Sequence, residues 1–485
     1  MPTKRSVAAV GARAVGGLVG AGIVAAVVGS LAFVQWPVFE RIPAATTVIP
    51  VPSEQMRVCP GPLLSLADDS SQAQAAASIG EATAAVAATE PGTGATVITP
   101  DTSRLDAPDN TLGGPDSAPL LARIPSAPGT TVAPLVAGSQ SQEAATESLA
   151  GFAATACGEA SSDSWLVGGS TDIGRTSLVL LSNPTTVVAT VALSVYGETG
   201  LVDSPGSTGI LVQPNSQRII SLAGLAPNLK SPVVHVTSQG GQVLASLQQS
   251  VIRGIQPGGV DLLGATNGPA LVQNIAGLIV TAPGSPSPAG EADELQDGAT
   301  SVRILATGST TATVQIGVVA ESAKSSGLSI EVQVQPGIAT EVPLRDLAVG
   351  AYAVQLNSDQ PIVTAATASV AGASGKDFAW FAASAPLRGE FLVTAAAGPS
   401  PTLHLVNTGS ADEVLTVALE SGVETTVNLL AGQAQATPLS TTGTVFVSGG
   451  TQTVASVGYS GAGQLASFAI QPAGPSAAPI AVYLR

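Results

Sequence analysis

Few residues in this chain are equipped for chemistry. Two are histidines, His235 and His404, each alternating with Val or Leu in a strand-like run. A histidine-dependent hydrolase would need one of them beside a nucleophile and an orienting carboxylate. No Gly-x-Ser-x-Gly elbow accompanies either, so both are expected to fill strand positions. Glu159 and Asp163 are the carboxylates that a hydrolase without a recognisable motif would use. Gly372-Ala-Ser-Gly-Lys376 has the ring of a phosphate loop, but Val370 stands where the first glycine belongs and Asp377 replaces the magnesium-binding hydroxyl. A hairpin turn is expected there instead. Asp101, Asp106, Asp109 and Asp116 supply hard oxygen ligands at spacings that match no calcium loop, and they read as solvated loop charges. Cys59 and Cys157 are too few for a thiolate zinc cage. No catalytic, cofactor or metal residue is assigned, and the chain reads as a non-enzyme.

Three residues could bind rather than react. Trp165 and Trp380 could stack on sugar rings if their faces are exposed, the opposing expectation being core packing. Arg175, beside Gly174, could grip a carboxylate or phosphate bidentately, or pair with Asp163 or Asp172 at a domain corner.

The stretch that decides the compartment of all these residues is Ala14 to Phe39, with no charged side chain between Arg13 and Glu40. Roughly 20 helical residues cross a bilayer, so residues 14–36 are expected to form a transmembrane helix. Lys4, Arg5 and Arg13 precede it, which keeps residues 1–13 cytoplasmic and sends the bulk outward. A cleaved signal peptide shares the charged start, but its apolar core is typically only ~7–15 residues long. Outside the membrane, oxidising conditions favour a Cys59–Cys157 disulfide. The chain carries 17 Lys and Arg against 33 Asp and Glu, a net charge of −16, which argues against nucleic-acid binding. Aromatic residues make up only 3%, so cores must be built from Val, Ile, Leu and Ala.

Residues 37–58, with Pro43, Pro50 and Pro52, read as a Pro-rich stalk. Residues 59–157 read as a low-complexity, partly disordered insertion closed by the disulfide. Its Ala-rich pieces at 72–89 and 140–156 suit helix, while its Pro- and Gly-rich middle lacks periodic apolar positions. Beyond it one strand pattern recurs three times, the strongest signal in the chain. Leu178 to Thr185, Arg303 to Ser309 and Leu403 to Gly409 each lead through a tight turn into a second alternating run. Val212 to Leu222, Val334 to Leu344 and Leu429 to Leu439 form a second matching block. Frequent turns between short alternating strands predict a mainly β chain, with about three Ig-like antiparallel β-sandwich domains after the transmembrane helix. Their expected bounds are 158–298, 299–388 and 389–485, with the acidic stretch 282–297 as a linker or long loop. Asp377 to Phe381 reads as the last strand of the second, with Trp380 or a neighbour exposed on one face.

Cys157-Gly-Glu159, Trp165-Leu-Val-Gly-Gly-Ser-Thr171, Gly174-Arg-Thr176 and Leu180-Leu-Ser-Asn-Pro-Thr185 carry a resemblance. Through them the exterior resembles an uncharacterised family of actinobacterial single-pass membrane proteins, a DUF5719-like domain of unknown function. The resemblance implies an envelope location and an Ig-like exterior, and it brings no catalytic residues. The leading expectation is a non-enzymatic scaffold or interaction protein of the cell envelope, anchored in the cell membrane by its N-terminal helix, with its sandwiches as an extended exterior arm. Its partner would be an envelope protein or a cell-wall polysaccharide. A glycan-binding module using Trp165 or Trp380 is the alternative, and a hydrolase is the third reading.

Overall fold

The computed structural model describes residues 45–48, 54–66, 76–90, 96–111, 113–125, 133–281, 299–321, 327–372, 375–420, 422–440, 442–473 and 480–483. The alternating runs form strands because aliphatic side chains at every second position give each strand one face to bury. In the first copy, Arg175–Asn183 lies between Ser216–Ser221 and Leu244–Arg253, and Gln256–Gly264 completes a four-stranded antiparallel sheet. The other sheet runs Asp163–Val167, Val233–Gly240, Ala189–Gly197, with Gly200–Leu201 and Ile210–Val212 at its edge.

The third copy repeats both orders. Ala434–Pro438, Thr402–Asn407, Thr453–Gly461 and Gln464–Ile470 form one sheet, and Phe391–Thr394, Thr444–Ser448, Glu413–Leu419 and Glu424–Leu429 form the other. In the second copy a single 23-residue strand, Gly350–Gly372, serves both sheets. Its first half pairs with Ala270–Val280 and Ala312–Ala320, its second with Ser301–Ala306 and Gly375–Ala382. The hairpin expected at Gly372 to Lys376 is present, with Gly372 opposite Gly375. Each set buries an aliphatic core, exemplified by Val191 and Leu193, Val314 and Ile316, and Leu415 and Val417.

Several boundaries differ from the sequence expectation. Ala270–Val280 pairs with the long strand of the second set, so the first set ends at Gly264 rather than near residue 298. The acidic stretch 282–297 lies outside the described residues. The Ala-rich pieces of the disulfide-closed segment are strands, not helices: Thr83–Thr89, Val136–Ala145 and Ala150–Ala156 pair with one another. Helix propensity is a weak prior, and here it loses to pairing and to burial of Ala87, Ala88, Ala144, Ala153 and Ala154. Its middle, expected to be disordered, contributes Asp101–Arg104 and Leu120–Ile124 to a sheet with Gln55–Cys59. Of the expected stalk, Ala45–Val48 and Gln55–Cys59 are strands.

Three successive contacts close that segment. Cys59 and Cys157 are disulfide-bonded, Val58 and Gly158 exchange two backbone hydrogen bonds of 2.9 and 3.0 Å, and Arg57 Nη1 meets Glu159 Oε1 at 2.6 Å. Residues 50–478, with all three sets and the closed segment, form one compact unit. In the second unit Ala45–Val48 pairs antiparallel with Ile480–Tyr483. Residues 14–36, expected as the transmembrane helix, lie outside the described residues. Among the described residues no helix is long and apolar enough to cross a membrane.

The repeated turn has one chemistry in two copies. Asn183 Nδ2 donates to the Val187 and Val212 carbonyls at 2.8 and 3.1 Å while its Oδ1 accepts from Thr185 N at 2.9 Å. Asn407 does the same with Ala411 and Leu429 at 2.8 and 3.1 Å, and with Gly409 N at 2.9 Å. In the second copy Thr307 stands there, its hydroxyl donating to Pro361 O at 3.1 Å. Asn183→Ala or Asn407→Ala removes the amide's bonds across the turn, the one to the Val212 or Leu429 carbonyl being buried, and each is expected to cost about 1–3 kcal/mol. Denaturant unfolding of the full-length chain measures this, and a loss below about 0.5 kcal/mol, the range of ordinary surface changes, would contradict it.

Candidate functional site

The charged groups of the compact unit that depart most from ordinary behaviour sit where the sets meet. Asp377 enters the last strand of the second set, Gly375–Ala382, two residues after a hairpin glycine. Its carboxyl is 1% exposed, and no cation pairs with it among the described residues. Backbone N–H groups surround it instead. Phe152 and Leu465 donate to Oδ2 at 2.9 and 3.2 Å, and Phe378 and Val260 donate to Oδ1 at 3.0 and 3.2 Å. One donor comes from the disulfide-closed segment and the others from the last strands of the three sets. Two glycines allow the approach. A Cβ on Gly151 (φ +144°) would lie 2.5 Å from Asp377 Oδ1, and one on Gly259 (φ +119°) would lie 3.0 Å from it.

Asp261, fully buried on the neighbouring strand, accepts Trp380 N at 2.7 Å and Leu262 N at 2.8 Å. Burial pushes the Asp377 carboxyl up to about 7, against the pull of its four N–H donors. Burial likewise holds Asp261 well above the usual carboxylate range, opposed by its two N–H bonds and aided by the Asp377 charge.

A second buried group joins the first and second sets. Arg303 donates to the Gly169 and Pro232 carbonyls, each at 2.9 Å, and pairs with Glu341 Oε2 at 3.0 Å. Its guanidinium carbon lies 4.5 Å from the centroid of the Trp380 ring. Ser231 and Ser301 also donate to Glu341, at 2.8 and 2.6 Å. Burial pushes the Glu341 carboxyl up, but Arg303 and the two hydroxyls outweigh it and the net shift is downward. Between the second and third sets, His404 Nδ1 meets Glu321 Oε2 at 2.8 Å, with both side chains buried. A Cβ at Gly277 or Gly458 would come within 2.5 and 2.9 Å of that ring.

A family model described as a family of unknown function, DUF5719, matches residues 116–440, about two thirds of the chain. The chain belongs to the DUF5719 family. No curated protein and no solved structure matches it. The DUF5719 region includes Phe152, Val260 and Asp377 itself, while Leu465 lies beyond it.

The residues singled out by sequence are not gathered in this family member. Trp165 is 6% exposed, its ring stacked on His235 at 4.0 Å and 7°, with Tyr196 at 6.0 Å. His235 Nε2 is bonded to Asp163 Oδ2 at 2.9 Å. Trp380, expected on an exposed face, is 4% exposed, and its Nε1 donates to Gln249 Oε1 at 2.7 Å. Neither indole offers a free face to a sugar, because each is occupied by a neighbouring side chain. Arg175 Nη1 donates to the Ile173 carbonyl at 2.7 Å. Glu159 is engaged by Arg57. Asp109 bonds Arg218 Nε at 2.7 Å, and Asp116 lies 3.9 Å from Arg104. Among the described residues, no group of three or more His, Cys, Asp or Glu could hold a metal.

Sequence reasoning missed Asp261, Asp377, Arg303, Glu341 and the His404–Glu321 pair. A signal for Asp261 existed: it is a lone carboxylate between Val260 and Leu262 inside a strand, in a chain with little charge. Arg303→Met removes the Glu341 partner and three bonds across the contact, and it is expected to cost about 3–5 kcal/mol, read by thermal or denaturant unfolding. The Glu341 contribution should be fully present above the 4.5 of an unfolded glutamate and fade as pH falls through its lower folded value.

Proposed function

We propose that this protein is a non-enzymatic, membrane-anchored extracytoplasmic scaffold of the cell envelope, whose three Ig-like sandwiches act as one body that engages another envelope component. The observation that supports this reading is the shared carboxyl of Asp377, which fastens all three sets and the disulfide-closed segment together. A body fastened this way presents its surface loops in fixed relation, which lowers the ordering cost of docking. The side chains that could have done chemistry are spent on internal contacts: Trp165 on His235, His404 on Glu321, and Trp380 beneath Arg303.

Among the described residues, two neighbouring loops carry an apolar tip. Ile173 is 85% exposed and Ile255 is 92% exposed, on loops joined by Ile252 N donating to Gly174 O at 2.8 Å. Arg175 and Arg253 brace these loops through bonds to the Ile173 and Gly258 carbonyls. Exposed aliphatic residues on ordered loops mark contact surfaces more often than isolated ones do. An envelope protein is the partner proposed for this tip.

The experiment is crosslinking in intact cells followed by recovery of the full-length chain. One defined envelope protein is expected in the crosslinked product, and Ile173→Ser with Ile255→Ser is expected to lower its yield about tenfold, the loss of ~1.4 kcal/mol of binding, without moving the unfolding midpoint. Absence of any crosslinked envelope component would overturn the reading. Protease added to whole cells is expected to cut the C-terminal half, and its complete protection would overturn the proposed sidedness.

A further inference from the structure

Three of the four amides that meet at Asp377 come from distant stretches, Phe152, Val260 and Leu465 lying 225, 117 and 88 residues from it in sequence, and the fourth, Phe378, is its neighbour. Asp377 therefore reports on whether four separately paired strands are in place. We propose that Asp377 is a proton-operated tie, which in its neutral form keeps the disulfide-closed segment and the last strands of all three sets clamped, and which loosens this junction when it ionises.

Two effects oppose each other at this carboxyl. The ion satisfies all four donors, whereas the neutral acid gives up one accepting site to its own proton. The ion must however be carried in the interior without a paired cation, and burial is the larger effect, holding the group up to about 7. In the unfolded chain the same carboxyl titrates near 3.8. Between those values the clamped form holds a proton that the opened form releases. Its stability therefore falls as pH rises through this window and levels off above it.

The groups facing Asp377 leave that titration to it. Asp261, from Gln256–Gly264, is raised well above the usual carboxylate range by burial, and the Asp377 charge pushes it further up, so ionisation of Asp377 opposes that of Asp261. Ala150–Ala156 and Gln464–Ile470 bring no ionisable side chain. Gly350–Gly372 brings Asp359, exposed and bonded to Thr313 N at 2.8 Å, and Tyr352, whose hydroxyl donates to Ala348 O at 2.8 Å. Tyr459, beside Leu465's partner strand, donates its hydroxyl to Ala396 O, and burial holds it neutral. Glu143, opposite Phe152, is exposed, as is Lys376 next to Asp377.

The test is amide hydrogen exchange of the full-length chain from about pH 5 to about pH 8.5, corrected for intrinsic rates and read at Phe152, Val260, Phe378 and Leu465. The opening constant at these amides is expected to rise about tenfold per pH unit up to about pH 7 and to be flat above, the slope of one released proton. Asp377→Asn is expected to remove the slope, and Asp261→Asn, in the same junction, to keep it. A flat opening constant in the unsubstituted chain, or a slope that survives Asp377→Asn, would overturn the proposal. Should Asp377→Asn fail to fold, the carbon resonance of the Asp377 carboxyl in the unsubstituted chain decides: a midpoint near 7 supports the tie, and one below about 5, in the ordinary carboxylate range, rejects it.

Discussion

One carboxyl, at Asp377, receives hydrogen bonds from four stretches of backbone that are otherwise paired in different sheets. An acid in a dry interior is tolerated only when its oxygens are met by donors, and stranding those donors is as costly as stranding the acid. Each strand at this point therefore depends on the other three. The dependence is steric as well, since Gly151 and Gly259 let two backbones come closer than a Cβ would permit. A bond network of this kind cannot form piecemeal, so it couples sheets that would otherwise fold and move as separate modules.

The remaining contacts between sets follow the same logic with different groups. Arg303 crosses from the second set to carbonyls of the first, and Glu341 with two serine hydroxyls balances its charge. Its guanidinium caps Trp380, so an aromatic ring that could have been a binding platform becomes part of the joint. His404 and Glu321 occupy the contact between the second and third sets. Buried ion pairs contribute little net stability compared with apolar packing, but breaking one is expensive. Their position between sets suits a part whose task is to hold one arrangement.

The disulfide-closed segment takes part in this assembly as structure and not as a tether. Its strand Ala150–Ala156 lies against the last strands of the first and third sets and supplies Phe152 to both Asp377 and the third core. Behind it, Cys59–Cys157, the Val58–Gly158 backbone bonds and Arg57–Glu159 form a three-rung closure. The segment reads poorly in sequence because its strands are rich in Ala, which has weak preference for sheet and strong preference for helix. Only their pairing and burial identify them.

Period-two alternation and the recurrence of one block pattern were enough to determine three sets of antiparallel strands, because a strand's burial face is written in every second residue. The turn residues Asn183 and Asn407, the hairpin at Gly372 and the pairing of Cys59 with Cys157 were legible for similar local or arithmetical reasons. What tertiary structure alone decided is where those faces and turns meet. It sent Ala270–Val280 to the second set, buried Trp165 and Trp380, and turned Asp377 from a residue after a hairpin into the point shared by four strands. Alternation specifies which side of a strand is covered but not by what. The covering groups lie a hundred or more residues away, where burial and hydrogen-bond satisfaction are settled only once all the sheets are assembled.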